Sequence, residues 1–123
     1  MAAISMSEDD LLVTVLDMAK RMGVMTAHFR AAQSKTGRWI TPVQGDGKGF
    51  PDVVLVGHGG LLFRELKSAK GRLAPEQQLW LDALTTAGGD ADVWRPADLT
   101  SGRIEAEIRA VRRPSTAKEP CRA

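Results

Sequence analysis

An aspartate, a glutamate and a lysine have the types and spacing that could do chemistry in this chain. Asp52 closes the stretch Gly49-Phe50-Pro51-Asp52, and Glu65 and Lys67 flank Leu66. Between them lie two short apolar runs, 53–56 and 61–66, separated by Gly57-His58-Gly59-Gly60. β-Branched and leucine-rich runs joined by a Gly-rich turn predict a β-hairpin. A two-residue turn at His58-Gly59 pairs Gly57 with Gly60, and a four-residue loop pairs Val56 with Leu61. Both give the same register, in which Asp52 falls opposite Glu65. Opposed residues bring their Cβ atoms to about 4.5–5.5 Å. Two like charges so placed repel unless a cation lies between them. Lys67 is two residues past Glu65, so it projects from the same face about 7 Å along the strand.

That pattern suits a divalent metal acting on a phosphodiester. Mg²⁺ takes one or two carboxylates together with waters and substrate phosphate. Bound there, it would polarise a phosphoryl oxygen and lower the pKa of a water. A nearby ammonium would orient that water or stabilise developing charge. An isolated Glu-x-Lys is usually a surface ion pair at a strand end. The Pro-Asp at matching register, with apolar strands between, favours the metal site.

The motifs Gly49-Phe50-Pro51-Asp52, Glu65-Leu66-Lys67 and Gly71-Arg72-Leu73-Ala74-Pro75-Glu76-Gln77-Gln78-Leu79-Trp80-Leu81 follow one another in this order. Together they resemble the VRR-NUC domain of the PD-(D/E)xK superfamily, which includes restriction endonucleases and archaeal Holliday-junction resolvases. The resemblance spans residues 8–110 and implies an α/β, restriction-endonuclease-like core. In that core a mixed sheet is flanked by helices in the order α-β-β-β-α-β-α. The resemblance also implies that Asp52, Glu65 and the main-chain carbonyl of Leu66 ligate Mg²⁺ or Mn²⁺. Lys67 would position or activate water, and Gln77 would support the site. The implied activity is endonucleolytic hydrolysis of DNA, including branched DNA such as Holliday junctions or flaps. A homodimer in a bacterial or phage-infected cell is implied as well. Two alternatives stand beside it: a non-catalytic nucleic-acid-binding module and a sequence-specific restriction-type endonuclease. The intact acids and lysine argue against the first, and the small size leaves little room for a separate recognition domain.

Composition agrees with one small domain. A chain of 123 residues with 43% hydrophobic content can bury a core without disulfides. The domain is expected over residues 1–113, followed by a basic, disordered tail over 114–123. No apolar run is long enough to span a membrane. The start lacks a basic-then-apolar signal pattern, since acids occupy positions 8–10. Cys121 is the sole cysteine, which points to a reducing, cytoplasmic setting. One Cys and two His also disfavour a structural zinc cluster. A net charge of +2 is compatible with nucleic-acid binding without establishing it.

The supporting elements follow from periodicity. Residues 7–22 read as a helix with Leu11, Val15, Met18 and Met22 on one stripe, a Ser5–Glu8 capping box and a stop at Gly23. Residues 24–30 read as a strand and 31–50 as loop. Pro75 suits the first position of a second helix, whose inner face carries Gln77, Trp80, Leu81 and Leu84. Gly88-Gly89 stop it, 91–95 form a short strand, and Asp98 caps a last helix to about residue 111.

Several further residues carry two readings. Gln77 either satisfies orphan amides at its helix start or reaches the metal site, as the matching Gln does in related nucleases. Glu8 shares a helix face with Leu11, Leu12 and Val15. It is either a helix-start acid or an additional metal ligand, as in many relatives. Lys35, Arg38, Trp39 and Lys48, with Arg30, interleave cations and an aromatic in a way that suits DNA backbone and base contact. They equally suit a solvated loop with Trp39 tucked inward. There is no Walker motif there. His58 is expected exposed in the turn, and His28 packed or hydrogen-bonded in its strand. Trp80 is expected in the core, and Trp94 in the core or on the substrate side. Arg109, Arg112 and Arg113 either hold DNA or end a solvated helix.

Overall fold

The computed structural model describes residues 6–29, 32–33, 36–37, 39–40 and 45–112. The elements run α1 (Glu8–Arg21), β1 (Met25–His28), β2 (Ala32–Gln33), β3 (Trp39–Ile40), β4 (Val53–Gly57) and β5 (Gly60–Leu66). They continue through α2 (Pro75–Thr86), β6 (Ala91–Trp94), α3 (Pro96–Thr100) and α4 (Arg103–Arg112). The main sheet has the order β1-β4-β5-β6. β1, β4 and β5 are antiparallel neighbours, and β6 runs parallel to β5. The architecture is α/β with a mixed sheet between helices, as the sequence implied.

The hairpin has the expected register, with Gly57 opposite Gly60, Val56 opposite Leu61 and Val53 opposite Arg64. Its turn is fixed from outside, because the Gly59 amide donates to the Val111 carbonyl at the end of α4. A Cβ on Gly57 would lie 2.2 Å from that carbonyl oxygen, so only glycine fits. This anchor holds one end of the hairpin and leaves the other for the acids.

Alternation along β4 and β5 divides the residues between two faces. Val53, Leu55, Leu62 and Leu66 join Leu11, Val15, Trp94, Ile104 and Ile108 in the core under α1 and α4. On the opposite face Phe50 makes edge-on contacts with Phe29, Phe63 and Trp80, with centroids 5.5, 6.2 and 5.0 Å apart. Trp80 is therefore only half-buried, in a satellite aromatic cluster rather than the main core. Its indole N–H donates to the Asp46 carbonyl at 3.0 Å. Trp94 lies in the core with no exposed surface.

Other expectations need correction. The α1 capping box uses Ser7 and Asp10, with the Asp10 amide 3.0 Å from the Ser7 hydroxyl. Ser5 lies outside the described residues, and Glu8 is left free of a capping role. The segment expected to be loop contains a small hairpin, Ala32 opposite Ile40 and Gln33 opposite Trp39, too short to leave a periodic signal. His28 is exposed rather than packed, because β1 is an edge strand whose four residues all face solvent. The last helix is two helices. Gly102, at φ 87, breaks the chain between α3 and α4, and Asp98 sits inside α3, accepting from the Arg95 amide at 2.7 Å. The tail from residue 113 lies outside the described residues. No helix among those described is long and apolar enough to cross a membrane.

Candidate metal centre

The segment before β4 is built to deliver Asp52. Gly49 has φ 89, and a Cβ there would come within 2.6 Å of the Glu76 backbone at the start of α2. Phe50 locks into the aromatic cluster, and Pro51 is fully buried. Asp52 then continues the ladder by one residue past Val53 and Arg64, which sets it opposite Glu65. Its Oδ2 accepts the Leu66 amide at 2.9 Å.

Glu65 is only 2% exposed. Its Oε2 accepts from the Gln77 side chain at 2.8 Å and lies 3.9 Å from the Lys67 ammonium. Its Oε1 is buried and receives no hydrogen bond. Burial first, and then the charge and close approach of Asp52, push the Glu65 carboxyl up to about 8, against a partial opposing pull from Lys67. Two ionised carboxylates have no proton to share, so between them they can only accept. They become compatible when a proton or a cation sits between them. A hard divalent cation fits this donor set: two acidic oxygen groups, one of them buried with an oxygen that receives no hydrogen bond.

Gln77 closes its helix start and contacts Glu65 at once. Its Oε1 accepts the Ala74 amide at 2.8 Å, closing the start of α2, while its amide nitrogen donates to Glu65. The helix start thereby fixes the glutamate. Gln78, one position on, is exposed and bonds Asp82. Glu8 lies half-buried in the first turn of α1 and adds a small repulsion to Glu65. Among the described residues no three His, Cys, Asp or Glu side chains gather as metal ligands.

The structure thus brings Asp52, Glu65, Lys67 and Gln77 together. Lys48 is exposed and faces Glu76 at 3.6 Å. Lys35 and Arg38 lie outside the described residues, as does the side chain of Trp39. His58 is exposed in the turn at the far end of the hairpin. Arg109 pairs with Glu105.

Sequence reasoning missed the charges behind the site. Arg64, buried beside Glu65 on the other face, binds Glu107 and Asp90, each at 2.9 Å. The Trp94 indole and Arg103 also donate to Glu107, both at 2.8 Å. No local signal marked Arg64, because its acidic partners lie far along the chain.

A family model described as the VRR-NUC domain matches residues 18–98, which includes Asp52, Glu65, Lys67 and Gln77 but not Glu8. No curated protein and no solved structure matches the chain.

Proposed function

The chain belongs to the VRR-NUC family, a nuclease domain family of the restriction-endonuclease-like superfamily, and we propose that it is a metal-dependent endonuclease hydrolysing phosphodiester bonds in DNA. The observation that carries this reading is the half-buried Asp52 set against the buried Glu65, one of whose oxygens has no hydrogen-bond donor. A fold has no structural use for two opposed acids at such a cost, whereas a metal site does.

In this reading Asp52, Glu65 and the main-chain carbonyl of Leu66 hold Mg²⁺ or Mn²⁺, with Glu8 as a further candidate. Such an ion, when bound, polarises a phosphoryl oxygen and makes water more acidic. Lys67 is tethered to Glu65, so its ammonium stands where it can orient the attacking water or balance charge on the phosphate. Gln77 holds Glu65 in one orientation, which keeps the donor set assembled before substrate arrives. A chain with one such site cuts two strands together by pairing, so the reading extends to a homodimer acting on branched DNA.

The test is a cleavage panel on linear, flap and four-way-junction DNA with Mg²⁺, Mn²⁺ or EDTA. The reading expects cutting with either ion, none in EDTA, and faster cutting of branched than of linear DNA. Light scattering is expected near twice 13.3 kDa. Undiminished cutting in EDTA overturns the metal role, and DNA binding without cutting under every condition replaces the enzyme with a binding module.

A further inference from the structure

The basic side chains divide into those with partners and those without. Arg21, Lys48, Arg64, Lys67, Arg103 and Arg109 each face a carboxylate. Among the described residues Lys20, Lys70, Arg72 and Arg112 form no hydrogen bond or ion pair through their side chains, and all four are exposed. Lys20 and Arg112 lie on α1 and α4. Lys70 and Arg72 lie together on the turn that follows Lys67.

That turn is unusually well fastened. The Gly71 amide bonds the Ser68 carbonyl at 3.3 Å. Arg95 Nη1 donates to the carbonyls of Ser68 and Gly71, both at 2.8 Å, and lies 3.5 Å from that of Ala69. Arg95 itself is held, because its own amide donates to Asp98. One residue earlier, the Trp94 carbonyl accepts the Lys67 amide at 3.1 Å. The Lys67 stem runs beside the turn, since a Cβ added at Gly71 would stand 3.5 Å from Lys67 Cδ. A guanidinium that serves backbone carbonyls instead of an acid adds rigidity and leaves its own positive charge unneutralised. The result is a fixed loop with two free cations, joined directly to the site lysine. A rigid display of unpaired cations suits a regularly spaced polyanion.

We propose that residues 68–72 form a phosphate-binding subsite for the nucleic-acid backbone beside the scissile bond. Lys70 and Arg72 make the contacts, and Arg95 is the positioning residue that presets the turn. This rests on the nuclease reading and deepens it.

The experiment measures binding in EDTA, by anisotropy of a fluorescein-labelled DNA flap duplex over a range of KCl concentrations. Lys70→Ala and Arg72→Ala are each expected to weaken binding and to lower the slope of log affinity against log salt by about one. Lys20→Ala and Arg112→Ala, which remove equally free cations elsewhere, are expected to leave slope and affinity at wild-type values. Arg95→Lys keeps the charge but cannot reach three carbonyls. It is expected to weaken binding with the wild-type slope, a split that a merely structural residue does not produce. Thermal melts confirm that every variant is folded. The inference is overturned if Lys70→Ala and Arg72→Ala keep the wild-type slope, or if the Lys20 and Arg112 variants lose as much. Failure of the wild-type protein to bind the duplex at all would instead sink the nuclease reading, and this subsite with it.

Discussion

Arg64 and Glu65 are adjacent on β5, each only 2% exposed, and they point to opposite faces of the sheet. Arg64 Nε and Nη2 donate to Glu107, Nη2 also donates to Asp90, and Nη1 serves the carbonyls of Phe63 and Asp90. Its guanidinium also lies 5.2 Å from the centre of the Trp94 ring. Burial alone would raise the Glu107 carboxyl, but bonds from Arg103, Arg64 and Trp94 outweigh it and hold it below its ordinary value. Glu65 has the opposite environment. Burial and a neighbouring carboxylate lift it, and one oxygen has no donor. A buried charge with matched partners holds the fold together. Glu65, buried beside a second carboxylate and with one oxygen lacking a donor, is on the proposed reading kept for a ligand.

The largest expected effect separates the two sides by activity. Asp52→Ala, Glu65→Ala and Lys67→Ala should each slow cleavage by at least about a hundredfold while circular dichroism stays native. Gln77→Ala should lose less, roughly 10–100-fold, because it acts through Glu65. A wild-type rate in any of the first three would show that the pair is not the active site.

On the other side the loss should appear in stability. Glu107→Ala leaves Arg64 buried with only Asp90 as an acidic partner and strips Arg103 of one of its bonds. Breaking a buried pair costs about 3–5 kcal/mol, which lowers the melting temperature by roughly 10–20 °C. A melting curve that overlays the wild type would reduce the network to surface decoration.

The same contrast gives opposite pH slopes. The Glu107 carboxyl is lowered in the folded state, so its contribution is complete above the ordinary value of 4.5 and disappears as pH falls through the folded value. The Glu65 carboxyl is raised, so between 4.5 and about 8 the folded protein holds the extra proton. Stability therefore falls with rising pH across that window in EDTA, by up to about 1.4 kcal/mol per pH unit. Urea unfolding of wild type and Glu65→Gln at several pH values checks this. The gap between them should widen up to about pH 8 in favour of the variant, and a constant gap would mean that Glu65 titrates normally.

Much of the site was legible because local rules governed it. The symmetric Gly57-His58-Gly59-Gly60 turn left one register, and that register alone opposed Asp52 to Glu65. Pro75 at the helix start put Gln77 one turn before the aromatic face, within reach of the sheet. Arg64 was not legible, because its partner Glu107 is 43 positions away and an arginine in a strand ordinarily reads as solvent-facing. The break at Gly102 had a signal in Ser101-Gly102, which the continuous apolar spacing of Leu99, Ile104 and Ile108 concealed. The helix face of Glu8 was legible from its spacing to Leu11, Leu12 and Val15, and Glu8 is half-buried there.

The most direct test of the proposed metal site at Asp52 and Glu65 is thermal unfolding of EDTA-treated wild type with and without millimolar Mg²⁺ or Mn²⁺. An ion that binds only the folded site stabilises it by mass action, about 2.7 kcal/mol at a hundred times its dissociation constant. Wild type is predicted to melt several degrees higher with the ion, and Asp52→Asn to lose most of that rise. A wild-type melting temperature indifferent to both ions would contradict the account.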